Sequence, residues 1–162
     1  MSERETRETP SLQFDMARPE DADLLLSFIQ KYYAFDHIAF EASSIARGIA
    51  VLLADPSLGE AWFVRSNAKT IGYFILTFGF DLEFGGRQAT LTDLFLDSNH
   101  RGRGIGQATL AHVEKLLVER GVGALELQVE EENRVAFAMY ERFGFKAHRR
   151  IPMSKQVATR SS

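Results

Sequence analysis

Between residues 101 and 106 the chain reads Arg-Gly-Arg-Gly-Ile-Gly, a spacing suited to holding an anion. Glycines at Gly102, Gly104 and Gly106 remove side-chain bulk where the backbone must turn sharply and approach a ligand closely. The helix-like run that follows, QATLAHVEKLL, would aim its first free NH groups and positive dipole end back at the turn. Arg101 and Arg103 add two full charges, so a phosphate or pyrophosphate is the natural guest. Two nucleotide motifs fail here: no Lys-Ser/Thr follows the glycines as a P-loop needs, and the third position after Gly104 is Gln107 where a dinucleotide fingerprint needs glycine. An ordinary strand-to-helix turn would use the same glycines. Upstream, Asp93 lies in the strand-like run ATLTDLFLD. A carboxylate among apolar neighbours is costly unless it has a partner or a task.

The elements that must position these residues follow from periodicity. Leu12 to Ala17 alternates as a short strand ended by Arg18-Pro19. Leu24, Leu25, Phe28, Ile29 and Tyr32 recur at helical spacing behind a capping Asp21. Ala42 to Leu53 carries a second helical stripe that Asp55-Pro56 ends. The period then changes: Ala61 to Arg65 and Thr70 to Phe78 predict a hairpin around Ser66-Asn67-Ala68-Lys69, and Gln88 to Asp97 a third strand feeding the glycine turn. Leu110, Val113, Leu116 and Leu117 mark the next helix, with Gly121 at its cap. Ala124 to Val129 predicts a strand. A helix capped by Asn133 and stopped by Gly144 comes next, and Phe145 to Met153 reads as a last strand. The order is βααβββαβαβ.

At 162 residues with 45% hydrophobic content the chain suits one globular domain, expected over 11–155 between flexible tails at 1–10 and 156–162. No run approaches the roughly 18 apolar residues of a membrane span, and MSERETRETP is too polar for a secretory signal, so a cytoplasmic protein without a membrane partner is expected. Without cysteine there is no disulfide, thiolate metal site or cysteine nucleophile, so acyl transfer would be direct or use another nucleophile. The net charge of -3 speaks against a nucleic-acid partner. Its distribution is uneven: Glu20 to Glu60 holds seven acidic residues against two basic, and Arg101 onward eleven basic against seven acidic. A polyanionic cofactor at the basic half and a cationic substrate at the acidic half fit that asymmetry, as do two solvated faces. The segment YYAFDHIAFE, with Tyr33, Asp36, His37 and Glu41, has the composition of a substrate-binding connection, and packing is the first reading of its aromatics Tyr32, Phe35 and Phe40. No histidine spacing indicates a metal site.

The written pattern Arg101-Gly102-Arg103-Gly104-Ile105-Gly106 resembles the acetyl-CoA signature of the GCN5-related N-acetyltransferase (GNAT) family. A second match is LQVEEENRVAFAMYERFGF, which is similar to the family's fifth strand and fourth helix through Asn133, Ala136, Tyr140, Gly144 and Phe145. The resemblance spans about Leu12 to Met153. It implies an α/β (α+β) fold with a mixed, mostly antiparallel twisted sheet and helices on both faces. It also implies acetyl-CoA as co-substrate, with no metal. Its pantetheine arm would enter between the strand ending at Asp97 and the strand ending at Glu130. Backbone groups of Leu94, Phe95 and Leu96 would pair with the pantetheine amides, NH groups from Arg101 to Gln107 would hold the pyrophosphate, and Asn133, Ala136 and Phe137 would line the arm.

Acetyl transfer to an amine needs a base for the amine, a donor for the oxyanion and an acid for the sulfur. By resemblance Tyr140 is the acid. Asp93 stands where many members carry glutamate, and is base, ammonium ligand or a structural carboxylate, while the oxyanion donor falls to a backbone NH near Phe95. The region also resembles polyamine-type and diamine-type acetyltransferases, which have two acidic residues where this chain has Thr92-Asp93. The expected acceptor is a primary amine of a small cationic metabolite, bound by Tyr33, Asp36, His37, Glu41 and Asp93. An aminoglycoside, a protein N-terminus, or a non-catalytic acyl-CoA sensor are the alternatives. Family resemblance makes a homodimer the expected assembly.

Overall fold

The computed structural model describes residues 11–158. The tail expected over residues 1–10, and the last four residues of the one expected over 156–162, lie outside the described residues. The chain forms two compact units, one up to Val129 and one from Glu130 onward.

The first unit is a five-stranded sheet in the order β1-β2-β3-β4-β5. Its strands are β1 (Leu12–Met16), β2 (Gly59–Ser66), β3 (Lys69–Asp81), β4 (Gly86–Leu96) and β5 (Ala124–Leu127). Neighbours are antiparallel except β4 and β5, which run parallel. Three helices complete the unit: α1 (Ala22–Phe35), α2 (Ala42–Ala54) and α3 (Ile105–Glu119). The apolar stripes read from the sequence are the buried faces: Leu25, Phe28 and Ile29 of α1 and Ile49 of α2 pack in one cluster with Ala61, Phe63, Tyr73, Ile75 and Phe95 of the sheet. Burial of such faces is the main force holding short helices in place. Asp21 precedes α1, but its carboxylate accepts from Arg18 NH at 2.8 Å and does not cap the helix.

The opposite sheet face is aromatic. Phe14 of β1, Trp62 of β2 and Phe74 of β3 surround His112 of α3, whose ring stacks on Phe14 at 4.1 Å and 11°. The His112 Nε2 atom is buried without a hydrogen-bond partner, and burial lowers its affinity for a proton.

One irregularity in β4 sets up the site. Asp93 pairs with Ile75 and Leu91 with Leu76, so Thr92 is an extra residue on the bulged strand. Side chains alternate faces along a strand, and the extra residue resets the alternation. Ala89 and Leu91 therefore point away from the α1/α2 face, while Asp93 and Phe95 share it with Ile75 and Tyr73. Pairing with β5 stops at Leu91↔Leu127, whereas β4 runs on to Leu96. The two strands part just after the bulge.

The hairpin from β2 to β3 turns through two residues, Asn67 and Ala68, both with positive φ (49° and 66°). This is the backbone twist that two-residue hairpins favour, and glycine is the residue suited to its second position. Alanine there bears a steric cost of about 1 kcal/mol. Ala68→Gly is expected to stabilise the protein by about 0.5–1 kcal/mol, read as a melting-temperature rise of about 2–3 °C in calorimetry.

The second unit contains α4 (Arg134–Phe143). The strand expected over Phe145 to Met153 does not form, and residues 145–158 have no regular structure. Lys146, Arg149 and Arg150 place cationic side chains close together there, Pro152 withdraws a ladder donor, and Ile151 and Met153 are exposed. The observed order is therefore βααβββαβα.

Candidate functional site

The donor corner follows β4. After one 3₁₀ turn at Ser98–His100, Gly102 and Gly104 adopt left-handed conformations (φ 72° and 75°). A Cβ at either would meet nothing within 4 Å, so conformation requires glycine at both, and their outer side is open. Gly104 is the N-cap of α3 and has no side chain to offer; the first intrahelical bond runs from Ala108 NH to Gly104 O at 3.0 Å. The NH groups of Ile105, Gly106 and Gln107 thus begin the helix without a side-chain cap, the arrangement that suits an anion.

Three expectations change here. Gly106 is the second helical residue of α3 and not part of the turn. Ile105 is 2% exposed, so its side chain anchors α3 in the core and only its NH is left to serve a ligand. Arg101 is directed at α1: its Nε donates to Leu96 O at 2.9 Å, and its guanidinium lies 4.1 Å from the Phe35 ring centre and 5.3 Å from that of Phe95. Leu96 O is thereby engaged, whereas Arg103 and Gln107 are exposed. A second tie to α1, from the residue that follows β4, is the Lys31–Asp97 ion pair at 3.5 Å.

The carboxylate side is built on the α1/α2 face. The bulge sets Asp93 diagonal to Tyr73, whose hydroxyl donates to Asp93 Oδ2 at 2.8 Å. Burial raises the Asp93 carboxyl above its ordinary range; the hydroxyls of Tyr73 and Thr92 pull it back, and the charge of Asp36 pushes it up again. Tyr33 is raised by burial and then by the charge of Asp93. Tyr32 packs edge-on to Tyr33 (5.7 Å) and Tyr73 (6.5 Å). The structure therefore gathers Asp93, Tyr33 and Asp36, three of the expected acceptor residues.

His37 and Glu41 are placed differently. His37 is exposed, with φ 55°, in the reversal after α1 where Ile38 NH bonds Tyr33 O at 2.8 Å. Glu41 is the N-cap of α2, accepting from Ser43 NH at 3.1 Å, Ser44 NH at 2.8 Å and Ser43 Oγ at 2.6 Å. The Ser43 hydroxyl, then the Ser44 and Ser43 amides, hold its carboxyl below the usual range. Tyr32 and Tyr73 adjoin this group, a placement that sequence reasoning missed. Tyr73 sits in the unbroken run IGYFIL, where it reads as core, and only the register across β3 and β4 reveals its partner.

Within the second unit, Asn133 caps α4 through Ala136 NH to Oδ1 at 3.2 Å. Ala136, Phe137 and Tyr140 are partly buried on one helical stripe. Gly144 (φ 107°) ends the helix, and Phe145 NH returns to Tyr140 O at 3.0 Å, which brings the Phe145 ring edge-on to Tyr140 at 5.6 Å.

The profile of the acetyltransferase (GNAT) family matches residues 23–145. An uncharacterised N-acetyltransferase of Methanocaldococcus jannaschii is 27% identical over 125 residues, 76% of this chain and 55% of that protein. The [ribosomal protein bS18]-alanine N-acetyltransferase of Escherichia coli K12 is 40% identical over 58 residues, 36% of this chain and 39% of that enzyme. The chain thus spans about half the length, or less, of these curated relatives. The crystal structure of a predicted acetyltransferase from Clostridium acetobutylicum with acetyl-CoA superposes with a TM-score of 0.75 at 19% identity, covering 90% of this chain and 96% of that one. That likeness is one of fold.

Proposed function

Because the chain belongs to the acetyltransferase (GNAT) family, we propose that it transfers an acetyl group from acetyl-CoA directly to a primary amine of a small cationic metabolite, of polyamine, diamine or amino-acid type. The observation that carries the acceptor class is the partly buried Asp93 carboxylate, bonded to Tyr73 and facing the charge of Asp36. A carboxylate on β4 with a second just beyond α1 favours an ammonium group, and a second cationic centre on the acceptor would suit the pair.

The donor corner fits the anionic end of the co-substrate. The uncapped NH groups of Ile105 to Gln107, the open side of Gly102 and Gly104, and the exposed Arg103 meet the needs of a pyrophosphate. Leu94 and Leu96, on the stretch of β4 beyond its β5 pairing, turn their main-chain groups away from β3 and offer them to an extended arm, Leu96 through its NH, whereas the main-chain groups of Phe95 face Tyr73 in the β3 ladder. By family resemblance, Asn133, Ala136 and Phe137 of the second unit are proposed as pantetheine contacts. Acetyl-CoA supplies a thioester, an activated acyl group with a thiolate leaving group. Asp93 takes a proton from the acceptor ammonium, or holds it while water takes the proton; the neutral amine nitrogen then bonds to the acyl carbon, the carbon–sulfur bond breaks, and the second proton the nitrogen sheds restores, through solvent, the one Tyr140 gives up. A main-chain NH near Phe95 is assigned to the oxyanion, and Tyr140 to giving its phenolic proton to the departing sulfur, leaving an amide and a free thiol.

A second reading is supported by the 40% identity, over 58 residues, to the E. coli alanine N-acetyltransferase: an acceptor that is a protein N-terminus. A thiol-release assay with acetyl-CoA distinguishes the two. Turnover is expected with diamines, polyamines or amino acids and not with an N-terminal alanine peptide. Turnover confined to the peptide would establish the second reading, and acetyl-CoA binding without turnover over the whole panel would make the protein an acyl-CoA sensor.

A further inference from the structure

Tyr73 is fully buried, so it can touch neither acceptor nor donor. Its ring is fixed on three sides, by Phe28 at 6.4 Å, Tyr32 at 6.5 Å and Phe95 at 6.4 Å. A phenylalanine would fill the same space without the cost of burying a hydroxyl, which is worth bearing only where the hydroxyl makes a good bond. Here it donates to Asp93 Oδ2 at 2.8 Å, a charge-assisted bond when the carboxyl is ionised. The bulge at Thr92 makes that meeting possible, because it alone sets Asp93 on the face of Tyr73.

We infer that Tyr73 is the positioning residue for Asp93: its hydroxyl fixes the orientation in which the carboxylate meets the acceptor amine and favours the ionised form. The inference rests on the proposed role of Asp93 in amine acetylation, and adds to it a residue that acts only through another. The groups facing Asp93 are Tyr73 of β3, Tyr33 of α1, Asp36 just beyond α1, and Thr92 of its own strand, while Tyr32 of α1 packs on Tyr73 and Tyr33. Asp36 opposes ionisation and Tyr73 and Thr92 support it, so loss of the Tyr73 hydroxyl tips the balance toward the neutral acid.

The test is Tyr73→Phe, read in two ways. In the absence of any substrate, the Asp93 side-chain carboxyl carbon is titrated by NMR, and its midpoint is expected at higher pH in the variant than in the wild type. With acetyl-CoA and the best acceptor, the acid limb of kcat/KM is expected to move in the same direction. A loss of about tenfold is expected near pH 6, narrowing to about twofold at alkaline pH. A purely structural role would lower kcat/KM equally at every pH and leave the carboxyl titration in place; either result overturns the inference. If no amine is a substrate the acetylation reading fails, while the NMR titration still decides the role of Tyr73. Should Tyr73→Phe not fold, the hydroxyl proton of Tyr73 is followed in the wild-type protein: a shift tracking the Asp93 titration supports the bond, and no response overturns it.

Discussion

Tyr140→Phe is expected to lower turnover by about a hundredfold or more, with the helix and acetyl-CoA affinity retained. A positioned general acid contributes on the order of 10²–10⁴ in rate, and a phenol suits a departing thiolate because it stays protonated at neutral pH. Phenylalanine keeps the ring that meets Phe145 edge-on, and the main-chain bond from Phe145 NH to Tyr140 O does not depend on the hydroxyl. The loss should therefore appear in kcat more than in KM, since a transition-state proton donor adds little to ground-state binding. Stopped thiol-release kinetics with circular dichroism as a folding control make the measurement. Wild-type turnover in a folded variant would remove Tyr140 from the mechanism.

Asp93→Asn should cost activity and add stability. If Asp93 serves the amine, its loss lowers kcat/KM by about a hundredfold. Stability moves the other way with a definite pH dependence. Burial raises the folded carboxyl above its ordinary range, so the neutral form suits the fold better than the charged one. The contribution of Asp93 to stability is therefore fully present below the ordinary carboxylate range, and is lost as pH rises through the raised folded value. Asparagine imitates the neutral form and can still accept from the Tyr73 hydroxyl. The variant should melt higher than the wild type at neutral pH and converge with it in acid. Thermal melts at pH 4 and pH 7.5 check this: a lower melting temperature for the variant at pH 7.5 would show that the ionised carboxylate stabilises the fold.

Much of the fold is visible in local patterns because each element carries its own period. The stripes Leu24 to Tyr32 and Ile45 to Leu53 mark α1 and α2, and the change to Val-, Ile- and Phe-rich runs marks the hairpin. The glycines locate the corner after β4, and the residues around them show why its detail is harder to read. Gly104 caps the helix while Gly106 lies inside it, a difference of backbone conformation that one-letter spacing does not encode. Arg101 looks like an anion ligand by charge, yet the aromatic rings of Phe35 and Phe95, the first distant in sequence, draw its guanidinium toward α1. Glu41 has the sign expected of an ammonium ligand, but two serines beginning α2 supply three donors to it. Asp93 stands out as a charge in an apolar strand, whereas Tyr73 does not, since an aromatic in a buried strand is ordinary. Such partners come from strand register, and register depends on a bulge that leaves no mark in the alternation of ATLTDLFL.

That bulge makes strand length at residue 92 as consequential as any side chain near it. Positions 89, 91, 93 and 95 look like one face when counted by twos, yet the folded chain divides them between the two faces of the sheet. A chain one residue shorter here would have to choose. Either Asp93 and Phe95 cross to the side of His112 and Trp62, taking the carboxylate away from α1, or Ala89 and Leu91 exchange sides and the start of β4 loses its packing. Substitution along β4 leaves this division of faces in place. Insertion or deletion at this point instead exchanges what one layer of the protein presents for what the other must bury.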